Sequence, residues 1–577
     1  MDRQHREYLI VRYGVIHRLI IFAVIVAMPL GASLPAVAAI GDVPPETAGT
    51  VLRGFDPLLV KNIQKRLREL GIYVGPADGR MADETAAAIR TYQKLARLNV
   101  DGKVSRALLT RLDTAVVKSG RLLSRVESAR LEQTDAARKA LEDHAAARDL
   151  LAAIPAQSPS ATTPVGGEAA CLATPEPDCL LNEALKAALA TGKTHLRNGA
   201  FRDVALAWTM VGDVTAGIAT AKRMSDPRML IVALGKIARV QADDGDFEGA
   251  HTTALAVPDP RVRAQALAAL ATVQLDVNLE GDARYTLSEV LDATARITTP
   301  LWRTTLICRV ATLRARLGEA EIANTMLDQA LEGARKIKGR LARDNALARV
   351  ASALAEVGRL DEALYTAASI GQARHRVPVL ILITKIFADA GKITNARIIA
   401  NTIGDARYRV TALISVALAQ ASGGDVGGAR QTLSDARVAS REIDREYSRA
   451  YALSRVARSQ AEIGTIEDAR ETAQEVDREK LYALALWAIA ASPASLCEQA
   501  VSCEDETLAF AATRKIKNEL ARITLLTDIA VTRAQAGDRK AAISLFDEAL
   551  AVAQDLVKPW ARARALSRLA TTLSAIR

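Results

Sequence analysis

"RVASALAEVGRLDEALYTAAS", Arg349 to Ser369, carries three features at fixed distances: a branched residue followed by alanine at Val350-Ala351, then Gly358, then Ala363. The glycine stands seven residues after the first alanine and five before the last. The same ruler fits Gly245/Ala250, Gly318/Ala323, Gly391/Ala396, Gly424/Ala429, Gly464/Ala469 and Gly537/Ala542, with a degenerate copy beginning at Gly212. From Gly212 onward the glycines are 33, 73, 40, 33, 33, 40 and 73 residues apart. Since 73 is 33 plus 40, each long gap hides one anchor, and counting 33 onward places them at Asn278 and Cys497. Seven residues before the ten anchors stand nine alanines and Thr384, each preceded by Val, Ile or Leu. Adding 40 to Gly537 reaches Arg577, and Leu569-Ala570 then fall in register, so the array is expected to end on an unpaired first helix.

A fixed period of this size describes a helix, a turn at the glycine and a second helix, each pair stacked on its neighbours. The small alanine lets two helices approach closely, and the branched residue beside it fills the core. Seven extra residues are nearly two helical turns, so a helix in the 40-residue units can lengthen without rotating its buried face. The array resembles tetratricopeptide repeats, whose usual period is 34 and whose turn glycine and later alanine correspond to these anchors. The Trp, Tyr and Pro positions of that family are mostly absent, which leaves HEAT-like packing as the alternative. The resemblance implies a superhelix with a long concave surface for a protein or peptide.

Composition agrees with an all-α chain. Of 577 residues, 50% are apolar but only 4% aromatic, and Ala, Leu, Arg and Glu dominate. Such residues lose little on entering a helix. The net charge of +10 is compatible with an acidic polymer, anionic lipid or a solvated Arg-rich face. Nucleic acid is the weakest of these readings, because no Lys/Arg run is interleaved with aromatics.

At the N-terminus a charged stretch ends at Arg18, and "LIIFAVIVAMPL" supplies a 12-residue apolar core, Leu19 to Leu30. Small residues at Ala36 and Ala38 follow, which is the layout of a cleavable secretory signal over residues 1–38, cut near Ala38. The expected location is the periplasm or cell envelope. A membrane contact arises only if this short segment is retained as an anchor. Cysteine usage agrees with export: Cys171 and Cys179 are eight residues apart, and Cys497 and Cys503 are six apart, close enough for two local disulfides. Each would contribute about 2 kcal/mol. Metal binding is the rival reading, but no His stands near either pair. Cys308 is expected to be a small apolar helix-face residue.

Between leader and array lies "ELGIYVGPADGRMADETAAAIRTYQKLARLNVDG", Glu69 to Gly102, with two Asp-Gly turns around a helical segment. Upstream, Leu59, Ile63, Leu67 and Leu70 recur at helical spacing, ending at Gly71. A second helix is expected from Ala82 or Asp83, and "RALLTRL" as a third short one. The order Gln64, Leu67, Leu70-Gly71-Ile72-Tyr73, Gly75, Asp78-Gly79, Thr85, Ala88-Ile89, Tyr92-Gln93, Leu98, Asp101-Gly102 resembles the peptidoglycan-binding domain attached to many cell-wall enzymes. One departure is Ala82, where that family usually has Gly. The resemblance implies a non-catalytic fold holding wall glycan or its stem peptide in a shallow groove. The candidate ligand residues are Tyr73 and Tyr92, as flat apolar faces, and Asp78, Arg80 and Arg90, as hydrogen-bonding groups. On the other reading, Asp78 and Asp101 hold turns, Thr85 supports a helix start and both tyrosines pack.

The remaining organisation is a domain over residues 52–114, a helical spacer over 115–154, a Pro/Ser/Thr/Gly-rich tether over 155–170, and an α-solenoid of about ten helix-turn-helix repeats over 171–577. Catalytic patterns are not found: no Gly-x-Ser-x-Gly, Ser-x-x-Lys or phosphate loop, and His144, His195, His251 and His375 lack metal-ligand spacing. Paired acids such as Asp243-Asp244 and Glu504-Asp505 fall at turns and helix starts, where acids cap and meet the helix dipole. The sequence thus points to a non-enzymatic, cofactor-free and metal-free envelope scaffold with peptidoglycan and an unidentified protein as partners. A self-associating assembly factor is the alternative, and a peptidoglycan hydrolase or its regulator the third reading.

Overall fold

The computed structural model describes residues 56–70, 72, 77–81, 83–96, 98–154, 167–492 and 504–577. The leader lies outside these residues. Every regular element among the described residues is an α-helix. The chain forms two compact units, residues 1–131 and 132–577, taken separately below.

In the first unit, helices Pro57–Glu69, Asp83–Leu95 and the start of Arg106–Asp143 enclose a small core. Leu59, Ile63, Leu67, Ile89, Tyr92, Leu108 and Leu112 fill it. The third helix is not short, as expected from "RALLTRL", but runs on for 38 residues. No Pro or Gly-rich break separates the two stretches, and Ala, Leu, Arg and Glu sustain the helix to Asp143.

In the second unit, ten consecutive helix pairs follow the ruler. Nine of their first helices, from Thr194–Met210 to Glu519–Gln535, are 17 residues long. The exception is Glu479–Ala490, of 12 residues. The second helices supply the change in period. In 33-residue units such as those of Leu360–Ala368 and Ile393–Asn401 they have 9 residues. In 40-residue units such as those of Glu280–Ala295, Ala320–Arg335 and Val426–Arg441 they have 16. The seven added residues therefore all extend the second helix, which keeps its buried stripe because two turns restore the same face.

The anchors behave as helix C′ residues. Gly212, Gly245, Gly318, Gly358, Gly391, Gly424, Gly464 and Gly537 all have positive φ, and Asn278 (φ 62) is the one non-glycine residue there among the described residues. The N–H of the following residue returns to a carbonyl five back, as in Asp246 to Gln241 (2.9 Å) and Leu279 to Gln274 (2.8 Å). This is the Schellman closure, for which Asn is the accepted substitute for Gly. The alanines seven residues upstream are buried at every described copy, from Ala205 to Ala570.

The expected unpaired final helix is corrected. Pro559–Ile576 packs on Pro177–Leu189 as a first helix packs on its own second helix, and on Thr194–Met210 as on the next first helix. Counting 40 back from Gly212 reaches Leu172. Measured from that point, Leu180, Leu181, Ala184, Ala187 and Ala188 occupy the buried places held by Thr286, Leu287, Val290, Ala293 and Thr294 relative to Asn278. The two ends of the array thus supply the two halves of an eleventh unit, and the solenoid closes on itself. One hydrophobic core runs through the seam, from Leu180, Phe201 and Trp208 to Leu566, Leu569 and Ile576. Arg577 binds the Pro175 carbonyl (2.9 Å) and pairs with Glu176, and Arg564 pairs with Asp203 (2.8 Å).

The two expected disulfides come out differently. Cys171 and Cys179 are bridged at the entrance to the closing helix, with Cα atoms 5.8 Å apart, and this is the one disulfide among the described residues. The second expected bridge, from Cys497 to Cys503, lies outside the described residues.

First helices pack directly on the neighbouring first helices all round the circuit, whereas second helices pack on their own partner and the next first helix. In a curved stack the more closely packed layer is the inner one. The first helices therefore form the inner wall and the second helices the outer. Helix Ala145–Ala153 docks outside: Lys222 donates to the Leu151 and Ile154 carbonyls (both 2.7 Å), satisfying C-terminal orphans.

Candidate functional site

The small domain is built around two turns held by one device. Asp56 accepts from the Leu58 N–H (2.9 Å) and Pro57 occupies the first turn, which starts the first helix. Gln64 lies on that helix beside the apolar stripe and is fully buried. A buried amide must be satisfied on both sides. Its oxygen accepts from the Gly79 N–H (2.9 Å), and its nitrogen donates to Asp78 Oδ1 (3.2 Å), the Arg80 carbonyl (3.0 Å) and Thr85 Oγ1 (3.1 Å). On the second helix Gln93 repeats this. Its oxygen accepts from the Gly102 N–H (2.9 Å) and its nitrogen donates to Asp101 Oδ1 (2.6 Å). Each aspartate also accepts an N–H two residues on, from Arg80 and Lys103 (2.9 Å each).

Both glycines have positive φ, 82° at Gly79 and 68° at Gly102. A Cβ at Gly79 would stand 2.5 Å from the Pro57 carbonyl oxygen, so the turn and the start of the first helix are pressed together. The Arg80 N–H, then the Gln64 amide, hold Asp78 below the usual carboxylate range, and the Lys103 N–H does the same for Asp101.

The candidate ligand residues separate into different roles. Asp78 is engaged in its own turn, with the exposed side chain of Arg80 beside it. Arg90 is exposed at the second turn, where its guanidinium lies along Gly102. Tyr92 is only 6% exposed and packs in the core, which corrects its expected use as a flat surface face. The reason is spacing: it falls three and four residues after Ile89 and Ala88 on the buried stripe. Tyr73 lies outside the described residues. The described part thus leaves Arg80 and Arg90 as surface donors, one at each clamped turn. Gln64 and Gln93 are the residues whose roles the sequence reading did not assign. The available signal was their repetition, a glutamine next to an apolar stripe ahead of each Asp-Gly.

In the second unit two of the histidines make structural contacts. His144 caps helix Ala145–Ala153 by accepting from the Ala147 N–H (3.3 Å), and its other nitrogen meets Arg263 (2.6 Å). Burial, then that arginine, pushes its pKa down, favouring the neutral ring. His251 pairs with Glu289 (2.7 Å). Cys308 is buried, and burial pushes its thiol up to about 12, which suits a packing residue and not a nucleophile.

Comparison with known proteins supplies a family for the first unit. The family model described as "Putative peptidoglycan binding domain" matches residues 58–112. No curated protein matches the chain. Among solved structures, Ton1535 from Thermococcus onnurineus NA1 is 17% identical, with 55% of this chain and 95% of that chain covered and a TM-score of 0.24. Aspartyl phosphate phosphatase F from Bacillus subtilis is 10% identical, with 64% and 96% covered and a TM-score of 0.24. A Rap protein complexed with competence and sporulation factor is 12% identical, with 66% and 99% covered and a TM-score of 0.21. Residues 58–112 thus match a peptidoglycan-binding domain family, and the chain continues from them into a helical-repeat body.

Proposed function

We propose that this is an exported, non-catalytic envelope protein that grips peptidoglycan through its small domain and offers its closed array to a protein partner. The observation that carries the reading is the domain match at residues 58–112, on a core whose two Asp-Gly turns are each fixed by a buried glutamine. Fixed turns hold Arg80 and Arg90 in defined places, as recognition of a carboxylate or amide requires. Export is supported by the apolar leader segment and by the Cys171–Cys179 bridge, which suits an oxidising compartment. Against the self-assembly reading stands the closure. The terminal helices cover each other, so the array offers no bare end face for stacking.

Co-sedimentation with purified wall sacculi tests the first half. The mature chain is expected to pellet, and the chain lacking Phe55 to Leu112 to stay in solution. Pelleting by both would remove the small domain from the reading. Release of soluble wall fragments would instead make the protein a hydrolase. Sedimentation velocity tests the self-assembly alternative, with a monomer expected.

A further inference from the structure

The inner wall carries charge differently from the outer one. On the outer helices, arginines meet acids of the next second helix: Arg430 with Asp468 (2.6 Å), Arg437 with Glu475 (2.6 Å) and Arg514 with Glu548 (3.1 Å). Their charge is spent on holding neighbours together. On the inner helices one register is set apart, the residue nine before each anchor. There Arg455 reaches Thr411 Oγ1 of the preceding first helix (2.6 Å), and Arg309 reaches Thr272 Oγ1 (2.8 Å). Side chains at this place therefore lie along the wall, turned away from the second helices.

Of the eleven residues at this register, five are cations and two are acids. Asp203 is taken by Arg564 and Asp528 by Arg568. Lys236, Arg309, Arg349 and Arg455 form no ion pair among the described residues, although Lys236, Arg309 and Arg349 are exposed and Arg455 is half-buried. Of the other acids nearer the turn, Asp243, Asp276 and Asp389 are held by Arg239, Arg316 and Lys385, and Glu462 stands at the same register. Glu356, exposed on the next first helix, also stands near Arg309 and partly offsets its charge. Burial, more than charge, acts on Lys236 and Arg455; beside Lys236 stand Arg202 and Arg239 as well as Asp203, and beside Arg455 stands Arg458. Repeating unpaired cations on a shared concave wall create an attractive potential for anions.

Closure limits what can enter. Eleven first helices at about 9 Å spacing make a circuit of roughly 100 Å, which leaves at most about 20 Å inside their own side chains. An extended chain or one helix passes such an opening, whereas a folded domain or a cross-linked glycan sheet does not. We propose that the inner wall takes an extended acidic polypeptide segment, its carboxylates meeting Lys236, Arg309, Arg349 and Arg455. This rests on the scaffold reading above and names the chemistry of its partner.

The test uses the full mature chain and a fluorescently labelled 20-residue Glu-rich peptide, read by anisotropy. Binding is expected, weakening as salt rises. The variant K236E/R309E/R349E/R455E should bind at least about 100-fold more weakly. R309K/R349K/R455K, and the control K338E/K515E/K517E/K540E in exposed loops between units and on one second helix, should stay within about threefold of the parent. If circular dichroism shows the fourfold reversal unfolded, R349E and R455E singly serve instead, each expected to weaken binding about tenfold. No peptide binding, equal binding by the reversed chain, or displacement of the peptide by soluble glycan fragments or an oligonucleotide would overturn the proposal. Sacculus co-sedimentation of the same variants separates the outcomes. Retained pelleting with lost peptide binding leaves wall gripping intact, whereas lost pelleting in the parent chain removes the reading beneath.

Discussion

Both regions of the molecule rely on residues in the left-handed backbone conformation, yet they support them by opposite means. In the small domain, each Asp-Gly turn is fastened by a buried glutamine amide, and Gly79 is pressed against the Pro57 carbonyl. In the array, the glycines close helices through backbone bonds alone, and a Cβ at Gly212, Gly318 or Gly358 would meet nothing within 4 Å. A domain of some 55 residues has little core to spare and fixes its loops with side chains. A repeat is held on both sides by its neighbours and needs from its turn only the correct backbone sign.

The largest test of that contrast removes a neighbour. Ending the chain before Pro559 uncovers the closing helix and loses Leu566, Leu569, Leu573 and Ile576, which are buried. At about 1.5 kcal/mol or more for each side chain, the loss should exceed about 6 kcal/mol. Hydrogen exchange should show Pro177–Leu189 unprotected, while Leu360–Ala368 on the far side stays protected. Protection at both would mean the seam is not part of one cooperative body.

Next, glycine substitutions compare the turns directly. Gly318→Ala meets only left-handed strain, roughly 1–2 kcal/mol, and Gly318→Asn less, as Asn278 already demonstrates. Gly79→Ala adds a collision and should cost clearly more than Gly318→Ala in thermal or urea unfolding. Equal costs would dissolve the distinction. The clamps themselves come third. Gln93→Ala orphans the Gly102 N–H and should cost about 1–3 kcal/mol, with a similar figure for Gln64→Ala.

The smallest effect is a pH dependence confined to the small domain. Asp78 and Asp101 have folded pKa values below their unfolded ones, so their stabilisation is complete above the unfolded value of about 3.9. It is lost as pH falls through the lowered folded values. Asp101→Asn should flatten the acid limb of the domain's unfolding curve below about pH 4 and leave neutral pH nearly unchanged. An unchanged acid limb would remove the carboxylate's part in the clamp.

How much of this could be read from the chain depended on whether the partners were local. The pair geometry was legible because Val350, Ala351, Gly358 and Ala363 lie within one hairpin. The anchor hidden at Asn278 was found by counting, and its positive φ confirms the place. Of the two local cysteine pairs, Cys171 and Cys179 are joined as their spacing suggests, while Cys497 and Cys503 fall outside the described residues. Closure was not read, since Arg577 meets Pro175 across 402 residues and no local periodicity links them. A signal existed all the same, because the ruler run backward lands on Leu172 with Leu180, Leu181 and Ala184 in register. Which helix absorbs the seven extra residues was open too, because two turns could be added to either one. At the candidate site, Tyr92 could be read as a ligand face or as a packing residue, and its helical spacing from Ile89 and Ala88 agrees with the packing it shows.

The split eleventh unit sets an order of events during biosynthesis. Pro177–Leu189 leaves the ribosome hundreds of residues before Pro559–Ile576 exists, so its apolar face stays uncovered until that helix has been made. Closing so long a loop is entropically slow, and the nascent array is open and adhesive until the closing helix arrives. Joining the present ends with a short linker and cutting at any outer turn should yield a chain whose ring is completed by a different helix, with the same final body.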